Sequence, residues 1–355
     1  MNPHRVVLVG LFGVTLASVV ACGHGKTNPP PAAPSAASEP KSDGPSASSP
    51  AGGGRKIEGP AAPASGDDVK KGIAALRAGD TNGAKAAFEV AIQKNPKQAD
   101  AHHYLGVVNE QTGQKAEAEK NYRKALELDA GLEESAINLS AILVETGKFD
   151  EAAGLMKKAI AKNPKSPALQ VNLGMALSGK GDVEGANKAF EEAIKLEPSN
   201  GIHLVTYATH LARNNKKDEA LTKLKQAEKI SATDAGVLAS IALEYKSMKD
   251  FKTCLAILDK AVGLKDVAEL RIYRGTCKLG LKDLPGATTE FKDAVAKEPN
   301  NAVAHYSLGN ALADSGKLAE AIGEWETYLK LQPDGPQAKA AEKKISIAKA
   351  KSGQK

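Results

Sequence analysis

Small and large apolar positions recur at a spacing of 34 residues along most of this chain. Ala84, Ala118, Ala152, Ala186 and Ala220 form one column, continued by Cys254, Ala287 and Ala321 once a single residue is lost. Upstream of each stands another small residue: Gly72, Gly106, Ser140, Gly174, Ala208, Ala242, Gly275 and Gly309. One helical turn after the first column comes a large apolar residue on the same face: Phe88, Tyr122, Met156, Phe190, Leu224, Leu258, Phe291 and Trp325. A further column, Ala91, Ala125, Ala159, Ala193, Ala227, Ala261 and Ala294, is broken by Tyr328 in the last unit, which marks an end. Two small columns predict two helices that cross closely, and the large column fills the space between hairpins. Pro96, Pro164, Pro198, Pro299 and Pro333 end the second helix or start the next, because proline lacks the amide donor of a helix interior. Gly79, Gly113, Gly147, Gly181 and Gly316 supply the turn inside each hairpin, with Asn215 a fair substitute, whereas Lys249 and Lys282 depart from the pattern.

These columns resemble the tetratricopeptide repeat: Leu105-Gly106, Ala118, Tyr122 and Ala125 in the second unit, and Leu173-Gly174, Ala186, Phe190, Ala193 and Pro198 in the fourth, match its consensus. The resemblance implies an all-α fold, a right-handed superhelical solenoid of eight helix hairpins over residues 65–335. Units begin at Ser65, Ala99, Glu133, Pro167, Gly201, Ala235, Ala268 and Ala302, so the sixth is one residue short, and the junction from Gly263 to Ala268 is expected to be irregular. Stacked repeats need a terminal cap. Residues 336–355 are expected to supply it as a basic amphipathic helix, Pro336 to Lys349, turning Ala338, Ala341, Ile345 and Ile347-Ala348 inward.

The N-terminal residues break the period. Arg5 followed by the uncharged run from Val6 to Val20 reads as a signal-peptide core, too short for a comfortable membrane span. Val19-Val20-Ala21-Cys22 resembles the bacterial lipobox, which implies a lipoprotein signal peptide over residues 1–21 and an acyl anchor on Cys22. Residues 22–64 then form a tether: from Gly23 to Gly66, 33 of 44 residues are Pro, Ala, Ser or Gly, and Ile57 is the one large aliphatic. The lipoprotein resemblance implies a cell-envelope location, on the periplasmic face of the outer membrane, because Gly23 stands where an inner-membrane retention aspartate would.

Charge adds little. The formal charge is +6, of which residues 336–355, with six Lys and one Glu, carry +5. A basic stripe interleaved with aromatics is missing, so nucleic acid is not an expected partner. No HExxH, P-loop or GxSxG motif occurs, and neither enzyme activity, cofactor nor metal is expected. His102 and His103 are helix neighbours about 100° apart and cannot share a metal locally. Cys254 sits in a packing column and Cys277 on the next helix; buried thiols are favoured over the bridge that an exported chain would permit.

In the repeat's known fold the first helix of each hairpin lines the concave face. At the fifth position of the units, His103, Ile137, Val171, Val205 and Tyr306 belong to a mostly apolar row; at the sixth, Asn138, Asn172 and Thr206 belong to a polar one. These eight residues are the candidate peptide-binding groove. Asn138 and Asn172 resemble the asparagine ladder of superhelical tetratricopeptide proteins, where amides hold an extended peptide backbone; satisfying neighbouring helices is the alternative. The Lys and Arg pattern of chaperone-type carboxylate clamps is absent. The expected function is a non-enzymatic scaffold that holds envelope proteins or peptides during assembly of a machine such as a pilus secretin, motility complex or cell-wall synthase. The alternatives are a substrate-recruiting subunit of an envelope enzyme and a self-associating spacer.

Overall fold

A computed structural model describes residues 66–352, and every regular element among them is an α-helix. The leader at 1–21, Cys22 and the stretch 22–64 expected to be a tether lie outside the described residues, apart from its continuation at Gly66. Eight hairpins follow in order: Asp67–Arg77 with Thr81–Lys94, Ala99–Gln111 with Lys115–Leu128, Glu133–Glu145 with Phe149–Lys162, and Pro167–Lys180 with Val183–Leu196. The second half pairs Gly201–Arg213 with Lys217–Ile230, Ala235–Ser247 with Phe251–Leu264, Ala268–Gly280 with Leu284–Lys297, and Ala302–Asp314 with Leu318–Leu331. A last helix, Ala338–Ser352, covers the eighth hairpin, beginning and ending slightly later than its apolar pattern suggests.

The columns do what their sizes dictate. A Cβ on Gly174 would stand 2.8 Å from the Phe190 ring, so the first helix reaches its partner only because that position carries no side chain. Ala118, Ala152, Ala186, Ala220, Ala287 and Ala321 are fully buried at the same crossing. Where the last column breaks, buried Tyr328 packs on Tyr306, and its Oη accepts a hydrogen bond from the Gln337 amide at 2.9 Å, which fixes the approach to the terminal helix. That helix buries Ala338, Ala341 and Ala348, but Ile347 is 46% exposed, correcting its expected inward orientation.

Another departure from sequence expectation has a local cause. Lys249 and Lys282 take the same left-handed backbone as the turn glycines, at φ 62° and 63°, as does Asn215 at 61°. Asp250 and Asp283 then donate their amides to Tyr245 and Lys278 carbonyls at 2.9 Å, closing the first helix as Asp80 does on Ala75. The turn geometry is conserved through the chain although its glycine is not. The residue missing from the sixth unit falls in the connection 265–267 between hairpins.

The third departure is covalent. Cys254 and Cys277 are both fully buried and joined in a disulfide, with Cα atoms 6.4 Å apart, where buried thiols were the favoured expectation. The packing column brings the second helix of hairpin 6 so close to the first helix of hairpin 7 that their two small side chains meet. Nearby, the buried Glu290 carboxylate lies 2.8 Å from Lys278, 3.2 Å from Arg271 and 3.4 Å from Arg274. Buried apolar side chains form three groups, spanning 69–108, 118–277 and 268–348; both cysteines belong to the second, and the first helix of hairpin 7 divides its buried residues between the second and third.

Candidate peptide groove

Consecutive first helices pack against one another along most of the stack, while consecutive second helices do not make comparable contacts. The first helices therefore form the inner layer of the curve and the second helices the outer one. On the first helices, solvent reaches mainly one stripe, at unit positions 2, 6, 9, 12 and 13, a spacing that follows one helix face. This stripe is the floor of the groove.

The fifth-position row sits behind it. Val171 and Val205 are buried, Val205 completely, and Ile137 is nearly so, because this position packs between neighbouring hairpins. These three residues do not line open surface, which corrects the expectation for them. His103, half-buried, turns its Nδ1 to Ser135 Oγ at 2.8 Å in the next hairpin, and burial pushes its imidazole down to about 4. Its neighbour His102 goes elsewhere, its Nε2 lying 3.1 Å from the Pro96 carbonyl oxygen. Tyr306 remains partly open: the Lys344 ammonium from the terminal helix lies 5.0 Å from its ring centre and 5.7 Å from that of Trp325. Lys344 also donates to Asn310 Oδ1 at 2.6 Å, which accepts from Trp325 Nε1 at 3.2 Å. The end of the groove thus already holds a cation.

The sixth-position row divides. Asn172 is 1% exposed, and its amide donates to the Ala168 carbonyl one turn earlier at 2.8 Å. Thr206 is buried as well, donating to the Ile202 carbonyl at 2.9 Å. Both satisfy their own helix, so neither presents a free polar group to a ligand. Asn138 stays half-buried, donating to Tyr122 Oη at 3.2 Å, and Tyr122 donates in turn to Glu110 Oε2 at 2.8 Å. Burial raises the Glu110 carboxyl above the usual carboxylate range. A two-rung asparagine ladder is therefore not formed.

The groove residues missed at positions 2, 9, 12 and 13 include Asp100, Val107, Glu110, Glu134, Glu145, Thr209, Arg213, Leu243 and Lys246. The signal for them was the 2-6-9-13 spacing, a full helix face, in place of two adjacent positions that point about 100° apart. Burial pushes the Lys246 ammonium below the usual lysine value, and no carboxylate pairs with it among the described residues. Among those residues no group of acidic, histidine or cysteine side chains is arranged to hold a metal, and no helix is long and apolar enough to cross a membrane.

Eight stacked hairpins with an open inner helix face define a helical-repeat solenoid of the protein-interaction class. The sequence profile described as the cilia and flagella-associated protein 70 C-terminal domain, a tetratricopeptide-repeat profile, matches residues 69–307, and a general tetratricopeptide-repeat profile matches 278–345. The chain belongs to this tetratricopeptide-repeat family. It is 21% identical over 284 residues to BBSome complex member BBS4 of Bos taurus, covering 69% of this chain and 54% of that one. It is 28% identical over 130 residues to the type IV pilus assembly protein PilF of Pseudomonas aeruginosa, covering 36% and 52%. The chain spans about half the length of the curated relatives it matches. Among solved structures, yeast Tom70 superposes with a TM-score of 0.65 at 19% identity, covering 80% of this chain and 64% of that one. A tetratricopeptide repeat protein from Parabacteroides merdae does so at 0.52 and 18% identity, covering 69% and 97%. These likenesses concern the fold.

Proposed function

We propose that this chain is a lipid-anchored, non-enzymatic scaffold of a bacterial envelope, exported by residues 1–21, acylated on Cys22 and binding extended partner segments along the inner face of its hairpins. The observation that carries the binding half is the open stripe on the inner helices, narrowed where Asn172, Met175 and Thr206 are buried, which mixes apolar, amide, hydroxyl and charged side chains without an arrangement for covalent chemistry. Backbone groups of an extended segment need polar partners at short intervals, and side chains need apolar contact; such a stripe supplies both. Similarity to a protein named for type IV pilus assembly, over about a third of the chain, supports a role in assembling an envelope machine.

The test is photo-crosslinking in the intact envelope, with a benzophenone amino acid placed at Val107 or Ser240 on the stripe, or at Lys188 on an outer helix, which is 74% exposed. Crosslinked partners from the first two sites but not the third are the expected result. Equal yield from all three, or partners from Lys188 only, overturns the groove. For the anchor, Cys22→Ala should move the protein from the membrane to the soluble fraction, and an unchanged distribution rejects acylation there.

A further inference from the structure

Hairpin 7 breaks the apolar pattern where it meets hairpin 6. The seventh position of the first helix is Leu, Tyr or Ile in hairpins 2 to 6 and 8, and the eleventh is Leu or Tyr in hairpins 3 to 6 and 8. Hairpin 7 has Arg274 and Lys278 there instead, with Arg271 a turn earlier on the same face. Arg274 reaches back 2.9 Å to Asp259 of hairpin 6, and Arg271 binds Asp266 of the connection at 2.8 Å. Glu290, on the second helix of hairpin 7, faces all three cations at 2.8 to 3.4 Å. The pairing is incomplete, since Arg274 Nε is buried without a hydrogen-bond partner. Among the described buried apolar residues of Ala268–Gly280, Leu270 and Cys277 join the core that runs through hairpin 6, while Ala268 and Ile272 join the one that runs on into hairpin 8. The seventh position is otherwise charged at Lys71 of hairpin 1, which no described hairpin precedes. Hairpin 7 is thus built like the start of an array.

Charged groups lose hydration on docking and gain little net cohesion over apolar ones. In a stack held by nearest-neighbour contacts, such a contact is where the flanking runs come apart as units. The Cys254–Cys277 bridge spans this same contact. We propose that the bridge is a redox lock on a charged joint, and that its reduction by a dithiol lets hairpins 7 and 8 with the terminal helix separate from hairpins 1 to 6 as one body. A thiolate of the dithiol attacks one cysteine sulfur and breaks the sulfur–sulfur bond, and the other cysteine leaves as a thiolate that takes up a proton. The second thiol of the reductant then displaces the first cysteine, which is protonated in turn. Two electrons and two protons pass to the protein, and the reductant becomes a disulfide. Both cysteines are fully buried, so the reagent reaches them through brief openings of the joint. Arg271, Arg274 and Lys278 keep 19%, 18% and 18% of their side chains exposed, so dissolved ions reach this contact and weaken it.

The experiment is hydrogen exchange of the full chain, read by mass spectrometry before and after dithiothreitol, without denaturant. Thiol labelling of the peptides holding Cys254 and Cys277 should find both blocked before reduction and both free after it. On reduction, exchange across 268–352 should rise together by about tenfold or more, and further at high salt, while hairpins 2 to 5 stay as they were. Arg274→Leu/Lys278→Leu/Glu290→Leu restores apolar side chains at the joint and should keep exchange across 268–352 slow after reduction. Four results on the parent chain each overturn the proposal: free thiols before reduction, a bridge that resists dithiothreitol until every hairpin unfolds in urea, exchange unchanged by reduction, or faster exchange spread evenly over all hairpins. Equal loosening of the parent and the folded leucine variant overturns it as well.

Discussion

Cys254 in the second helix of hairpin 6 is bonded to Cys277 in the first helix of hairpin 7, closing a loop of 23 residues within one apolar core. Restricting a loop of this length in the unfolded chain stabilises the folded one by about 3 kcal/mol on the chain-entropy account. Cys254→Ala/Cys277→Ala should therefore lose about that much in urea unfolding, with the C-terminal hairpins melting first. A midpoint equal to the parent's under oxidising conditions would mean that the bridge does not form.

Glu290 is the shared carboxylate for Arg271, Arg274 and Lys278. Removing its charge takes the carboxylate from Lys278, while Arg271 keeps Asp266 and Asp293 and Arg274 keeps Asp259, so the cost is about 1–3 kcal/mol. Glu290→Gln should destabilise the chain by that order, whereas Glu320→Gln, an exposed i,i+3 partner of Lys317, should change little. Calorimetry of the two variants compares them directly.

His103 gives a pH signature. An unfolded histidine protonates near 6.5, whereas burial holds the folded one down to about 4. Between those values the unfolded state binds more protons, so the contribution of this residue is complete above about 6.5 and falls as pH drops toward about 4. Its loss should amount to about 3 kcal/mol by pH 4. His103→Gln removes this share of the pH dependence, and parallel unfolding curves for parent and variant from pH 7 to 4 would refute it.

Gly174→Ala tests the helix crossing. The new methyl meets the Phe190 ring at 2.8 Å, and displacing a ring inside a packed core costs about 1–3 kcal/mol, more than the helix propensity that alanine gains. Gly154→Ala, where a Cβ meets nothing within 4 Å, should be neutral or mildly stabilising. Identical shifts for the two would place Gly174 outside the crossing.

Most of the architecture was legible in the sequence because the crossings select by size: Gly174 against Phe190 and Ala186 beside them leave no other arrangement. The turns at Lys249 and Lys282 were not, since the glycine that signals a left-handed backbone was absent while the conformation stayed. The groove was half legible. Asn138 and Asn172 occupy the same unit position, yet one reaches Tyr122 and the other bends back to Ala168, a choice set by the side chain that the preceding hairpin presents. The bridge was missed for a similar reason: a packing column shows that two residues are small and buried, not how far apart their sulfurs stand.

The three separate apolar groups bear on how the solenoid would answer a mechanical load. Elements joined in series extend first where their contacts are thinnest, so tension between the ends should open the chain at its seams in a few large steps rather than hairpin by hairpin. Where hairpins 6 and 7 meet, the load would pass through the sulfur–sulfur bond, and the residues between Cys254 and Cys277 would add no length until it was reduced. The chain then behaves as a spring with a covalent stop near one end.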